Sequence, residues 1–218
     1  MREIIEIIKI RGILPLFFHE NQEISIEVMD TLYNSGIRAI EYTNRGATAE
    51  RNFNRMIEER NKRFPDLKLG IGTIKNLEKA KTFISLRADF IISPGFVPEV
   101  ADFCSKKNIL YIPGCMTPTE IIRVENSGIK LIKLFPGDVL KPTFLKGIKA
   151  IFPELLFMPT GGVDTTFESI KAWYDAGVTA VGMGSKLISK QLLDDKNYDL
   201  IASETKNVIK IINEIRPK

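Results

Sequence analysis

Two charged residues interrupt runs that are otherwise apolar and strand-like. Glu41 lies in Ile37-Arg38-Ala39-Ile40-Glu41-Tyr42-Thr43-Asn44-Arg45, and Lys133 in Ile129-Lys130-Leu131-Ile132-Lys133-Leu134-Phe135-Pro136. Successive side chains of a strand point to opposite faces, so Ala39, Glu41, Thr43 and Arg45 share one face and Ile40 and Tyr42 the other. The apolar pair belongs against helices, which turns Glu41 inward and sets Thr43 and Arg45 toward the C-terminal end. Lys133 likewise shares a face with Ile129, Leu131 and Phe135. Burial disfavours the ammonium form of a lysine and lowers its pKa. A neutral amine attacks a ketone and leads to a Schiff base, and a carboxyl beside it can carry the protons. The competing reading is a plain buried ion pair, since structural pairs also perturb titration.

A second chemistry is written in two glycine-bearing segments, Met158-Pro159-Thr160-Gly161-Gly162-Val163 and Val181-Gly182-Met183-Gly184-Ser185-Lys186. Glycines let backbone N–H groups approach phosphate oxygens, and the N-terminus of a following helix adds its dipole. Thr73, closing Gly70-Ile71-Gly72-Thr73, offers a hydroxyl that can hold a carboxylate. Cys115 and Thr117, in Pro113-Gly114-Cys115-Met116-Thr117, are candidates for lining the same pocket. Turn chemistry alone accounts for the Pro-Gly pairs there and in Ser93-Pro94-Gly95-Phe96. The one histidine, His19, reads as a polar loop residue rather than a base, and Cys104 and Trp173 read as core-facing helix residues.

The elements that must position these groups recur along the whole chain. Short β-rich runs cover Ile13–Phe18, Ile37–Thr43, Leu67–Gly72, Asp89–Ser93, Ile109–Ile112, Ile129–Phe135, Leu155–Pro159 and Thr179–Met183, with starts 20 to 30 residues apart. Helical periodicity lies between them, over Gln22–Ser35 ending at Gly36, Asn76–Leu86, Pro98–Lys107 and Thr165–Ala176 ending at Gly177. Eight strands alternating with helices, with no composition break, predict one α/β domain over residues 1–218, a compact (β/α)₈ TIM barrel. An extra N-terminal helix, Arg2–Ile10, is expected to close the barrel floor. The alternative, a doubly wound open sheet, lacks its glycine fingerprint after the first strand.

Composition narrows the field. Lys and Arg number 31 against 27 Asp and Glu, for a formal charge of +4, and no block of five like charges occurs. That is a solvated surface with a mild attraction for small anions, not a nucleic-acid interface. No apolar run approaches the roughly 20 residues of a membrane span. The start lacks the apolar core of a secretion signal, and Cys104 and Cys115 cannot build a disulfide framework, which suits a reduced cytoplasm. A single histidine excludes a two-histidine zinc motif, though not carboxylate-bound Mg²⁺, and argues against a nucleophilic triad.

Glu-Tyr-Thr-Asn-Arg at 41–45, Gly-Ile-Gly-Thr at 70–73, Ile-Ser-Pro-Gly at 92–95, Ile-Pro-Gly at 112–114, Lys-Leu-Phe-Pro at 133–136 and Pro-Thr-Gly-Gly at 159–162 resemble the aldolases for 2-keto-3-deoxy-6-phosphogluconate and 4-hydroxy-2-oxoglutarate. The motifs stand in family order over roughly residues 10 to 190, and jointly are far more specific than any one alone. The resemblance implies a class I lyase on a (β/α)₈ barrel, without metal or other cofactor, commonly a homotrimer, cytoplasmic, and working in carbohydrate metabolism in the Entner–Doudoroff pathway. The family's Schiff-base lysine falls on Lys133 and its proton-shuttling glutamate on Glu41. Its pyruvate-carboxylate contacts fall on Arg45 and Thr73, and its substrate-binding loops on Thr160, Gly161, Gly162, Gly184 and Ser185.

The implied substrate is a small keto-acid phosphosugar, cleaved to pyruvate and glyceraldehyde 3-phosphate. Hydroxyoxoglutarate or the phosphogalactonate analogue would use the same pair. A barrel phosphosugar isomerase and a noncatalytic phosphate-ligand binding protein are the readings from other classes. The chain departs from a common family form at Asn44, Gly137 and Met183, and the last is expected to set a larger side chain beside the phosphate loop.

Overall fold

The computed structural model describes residues 1–216; residues 217 and 218, the end of the expected domain, lie outside the described residues. Its strands are β1 (Ile13–Phe17), β2 (Ala39–Thr43), β3 (Lys68–Gly72), β4 (Phe90–Ile92), β5 (Leu110–Ile112), β6 (Gly114–Cys115), β7 (Leu131–Leu134), β8 (Leu156–Pro159) and β9 (Val181–Met183). The helices are α1 (Arg2–Arg11), α2 (Gln22–Asn34), α3 (Ala49–Arg63), α4 (Leu77–Ser85), α5 (Pro98–Lys106), α6 (Pro118–Asn126), α7 (Gly137–Ile148), α8 (Phe167–Asp175), α9 (Lys190–Asp194) and α10 (Tyr198–Ile215).

All eight expected strands are present, each shortened by one or more residues. Four of the trimmed positions bond backward. The N–H groups of Ile37, Leu67, Ile109 and Leu155 donate to Leu32, Phe64, Cys104 and Phe152 at or just beyond the preceding helix, not to a neighbouring strand. The expected helices stand within one or two residues, and Gly36 (φ 100°) and Gly177 (φ 94°) take the left-handed turn that lets α2 and α8 stop. The fifth run ends with β5 at Ile112, and Pro113, which has no amide hydrogen to give a ladder, separates it from β6, a short strand beyond the expected run.

Every strand pairing is parallel. One sheet runs β5-β4-β3-β2-β1-β9, and a second runs β6-β7-β8. Pairing of the last strand with the first curls the larger sheet and sets aside the doubly wound alternative. The sheets approach at two seams. Thr160, just after β8, bridges to Gly182 of β9, with Thr179 N–H donating to the Phe157 carbonyl. At the other seam Pro113 passes the chain from β5 to β6, and its carbonyl accepts from Lys133 N–H at 2.9 Å.

The core has two parts, as two-sided parallel sheets require. Ile40, Tyr42, Leu69, Ile71, Ile132 and Phe157 face the helices in the larger cluster. Leu14, Ala39, Phe90, Leu131, Met158 and Ala180 form an inner cluster, and Ile4 and Ile8 of α1 join it, plugging the end where the strands begin. Ile129 was expected on the Lys133 face but precedes β7 and packs with the outer cluster. No described helix is long and apolar enough to cross a membrane.

Candidate active site

Glu41 and Lys133 are brought together inside the curled sheets. Glu41 stands in β2 opposite Leu16 of β1 and Gly70 of β3, and Lys133 in β7 opposite Gly114 and Met158. They are 1% and 5% exposed, with Lys133 Nζ 3.7 Å from Glu41 Oε1. That is ion-pair range but longer than a hydrogen bond. Neither Glu41 oxygen has a hydrogen-bond partner among the described residues. Burial pushes the Glu41 carboxyl above its ordinary range, and the nearby charges of Lys133 and Arg45 only partly offset that. A buried ion pair kept for stability needs close geometry and satisfied lone pairs, and this one has neither.

The space for the carboxylate is made by β3. A methyl group built on Gly72 would lie 1.7 Å from Glu41 Oε1, and one on Gly70 would lie 2.1 Å from the Phe90 ring. Gly72→Ala is therefore expected to displace the carboxylate and overpack the interior. The cost is on the order of 1–3 kcal/mol, read as a lowered urea midpoint together with lost turnover.

Above the pair opens a cavity of about 750 Å³, floored by Thr43, Phe135 and Thr160, the same-face successors of the buried layer. Arg45, Thr160, Gly161, Gly162, Gly184 and Ser185 all line it. Thr160 Oγ1 is buried without a partner. Among the described residues the backbone N–H groups of Gly162 and Ser185 give no hydrogen bond to another backbone group, which leaves both donors for a ligand. Lys186 pairs with Asp164 at 2.8 Å and so ties the two glycine loops together. Glycine is required at 137, the first residue of α7, where a Cβ would meet the Gly161 carbonyl at 2.6 Å.

Several expectations need correction. Met183 does not crowd the phosphate loop. It alternates outward with Val181 into the helix-facing core, while Gly182 and Gly184 face the cavity. Cys115 is likewise turned to the outer core, where burial pushes its thiol to about 12, and Thr117 is spent capping α6 with Glu120. Thr73 follows β3 with φ 62° and is not among the cavity residues, because the strand's alternation ends there. His19 is a loop residue, as expected, yet it lines the cavity rim with Phe18 and Glu20. Cys104 and Trp173 are buried in the core. Lys190, Leu193 and Asp194 of α9 also line the cavity; their i,i+4 charge spacing reads in sequence as an ordinary solvated helix.

Residues 4–203 match the family described as KDPG and KHG aldolase. The chain belongs to that family. A 2-dehydro-3-deoxy-phosphogluconate aldolase of Haemophilus influenzae is 28% identical over 213 residues, covering 97% of each chain. A 2-dehydro-3-deoxy-6-phosphogalactonate aldolase of Escherichia coli is 30% identical over 120 residues, 55% of this chain and 58% of that one. Among solved structures, a KDPG aldolase from Legionella pneumophila, with pyruvate captured as a covalent carbinolamine, superposes with a TM-score of 0.83. It is 26% identical, and the match covers 90% of this chain and 93% of the other. For an aldolase of this family, the buried lysine–carboxyl pair beneath an open cavity is the arrangement that calls for a chemical account.

Proposed function

We propose that this chain is a class I aldolase that cleaves 2-keto-3-deoxy-6-phosphogluconate to pyruvate and glyceraldehyde 3-phosphate. Lys133 Nζ attacks the C2 ketone, and Glu41 moves the protons that carbinolamine formation and loss of water require. The protonated imine withdraws electrons as the C4 hydroxyl loses its proton and the C3–C4 bond breaks. The aldehyde leaves, the enamine takes a proton at C3, and hydrolysis frees pyruvate and Lys133. Arg45 holds the substrate carboxylate by a paired hydrogen bond, and Thr160, whose buried hydroxyl is unpartnered, shares that task. Gly161, Gly162, Gly184 and Ser185 receive the phosphate.

The observation that carries this reading is the Glu41 carboxyl, buried 3.7 Å from Lys133 with both oxygens unpartnered. Its pKa, raised by burial, suits a group that holds a proton and passes it on. The similarity to the Escherichia coli phosphogalactonate aldolase supports a second reading, the C4 epimer as substrate, with the same pair at work. We further propose that the two sheets form one closed (β/α)₈ barrel, in a cytoplasmic homotrimer.

The test is incubation with pyruvate, reduction with borohydride and peptide mass spectrometry. A single reduced pyruvate on the peptide holding Lys133 is expected. No adduct on folded protein would discard the Schiff-base mechanism in favour of an isomerase or a binding protein.

A further inference from the structure

The loop after β1 is held in a way that its place in the chain does not require. The His19 carbonyl accepts from three side chains behind it, Tyr42 Oη at 2.8 Å, Asn52 Nδ2 at 3.1 Å and Ser25 Oγ at 3.2 Å. Asn52 also donates to the Glu20 carbonyl with its second amide hydrogen, while the single Ser25 hydroxyl hydrogen is shared with the Asn21 carbonyl at 2.9 Å. Asn52 and Ser25 are fully buried, as is Tyr42, the residue next to Glu41 on β2. Burying three polar side chains is costly unless they are satisfied, and here the backbone of one short loop takes the hydrogens of all three, with Asn52 Oδ1 left without a partner.

The same loop fixes the imidazole. Asn21 N–H donates to His19 Nδ1 at 3.1 Å, so the proton of the neutral ring sits on Nε2. Nε2 lies 3.7 Å from Asp194, beyond hydrogen-bond reach, at the rim of the cavity that the glycine loops share. The two lysines lining that cavity are already engaged, Lys186 with Asp164 and Lys190 with Asp194. On the aldolase reading the pyruvate half of the substrate goes to the buried pair beneath the cavity floor of Thr43, Phe135 and Thr160. What remains within reach of His19 is the distal half.

We infer that His19 is a specificity-determining residue whose Nε2–H donates to the phosphorylated, aldehyde-derived half of the substrate, with Tyr42, Asn52 and Ser25 as positioning residues behind it. This rests on the aldolase reading above. The experiment runs the reaction in the condensing direction, at saturating pyruvate, with glyceraldehyde 3-phosphate or unphosphorylated glyceraldehyde. In His19→Ala the KM for the phosphorylated aldehyde is expected to rise on the order of tenfold, the loss of one charge-assisted hydrogen bond. The KM for glyceraldehyde and the borohydride-trapped pyruvate adduct should not change. His19→Gln, which keeps a donor near the Nε2 position, should recover most of the difference. Tyr42→Phe should shift the phosphorylated aldehyde alone, and by less. An equal KM change for both aldehydes, no change for either, or loss of the adduct in His19→Ala would overturn the inference. Absence of the adduct in the unaltered protein would instead overturn the aldolase reading, and this inference would fall with it.

Discussion

Lys133→Ala is expected to reduce turnover to background and to abolish the borohydride-trapped adduct while leaving the protein folded. No other group can replace the amine, because the electron sink exists only as an imine on that nitrogen. The fold should survive because of Glu41. Its carboxyl already holds its proton more tightly than an ordinary glutamate, through burial, and Lys133 is among the charges that oppose this. Removing the lysine lets the carboxyl go neutral instead of leaving a bare buried charge, so the several-kcal/mol penalty of breaking a fixed ion pair is avoided. Circular dichroism and steady-state kinetics on the variant check both halves. Residual turnover within tenfold of the unaltered protein, or an adduct that moves to another lysine, would remove Lys133 from the chemistry.

Glu41→Gln should retain the adduct, formed slowly, and lose roughly a hundred- to ten-thousandfold in turnover, the usual worth of a positioned acid/base group. Unchanged turnover would remove Glu41 from the mechanism. The same variant carries a second readout in stability. Burial raises the Glu41 pKa in the folded chain above its ordinary value of 4.5, so the folded state binds the proton more tightly than the unfolded state. The contribution of Glu41 to stability is therefore fully present below the unfolded pKa and is lost as pH rises through the folded one. Glutamine has no such loss. Melting temperatures of Glu41→Gln relative to the unaltered protein should accordingly climb from about pH 4 upward, and a difference flat with pH would contradict the burial argument.

How much of this could be read in advance varies with the kind of signal. The faces of β2 and β7 were legible because a strand's period of two sorts Ile40 and Tyr42 from Glu41 without a structure, and the core clusters divide that way. The same rule, carried one residue further, would have sent Met183 outward. The expectation that it crowds the phosphate loop came from reading neighbours in sequence as neighbours in space. Cys115 fails as a pocket residue on the same ground. Thr73 was not legible, since its positive φ ends the alternation that placed it. The clamp on the His19 carbonyl draws on α2, β2 and α3, and buried side-chain-to-backbone contacts of that range leave no periodicity to find.

The helix at the start of the chain has a kinetic meaning. Among the described residues, Ile4 and Ile8 of α1 pack into the end of the interior away from the cavity, so on the proposed reading what binds near Lys133 comes and goes through the cavity. On the same reading the aldehyde half lies between the pyruvate half and the cavity mouth. Departure is then obligatorily ordered, aldehyde first and pyruvate last, and in the condensing direction pyruvate must enter ahead of its partner. An excess of the aldehyde would occupy the mouth of the empty protein and shut pyruvate out.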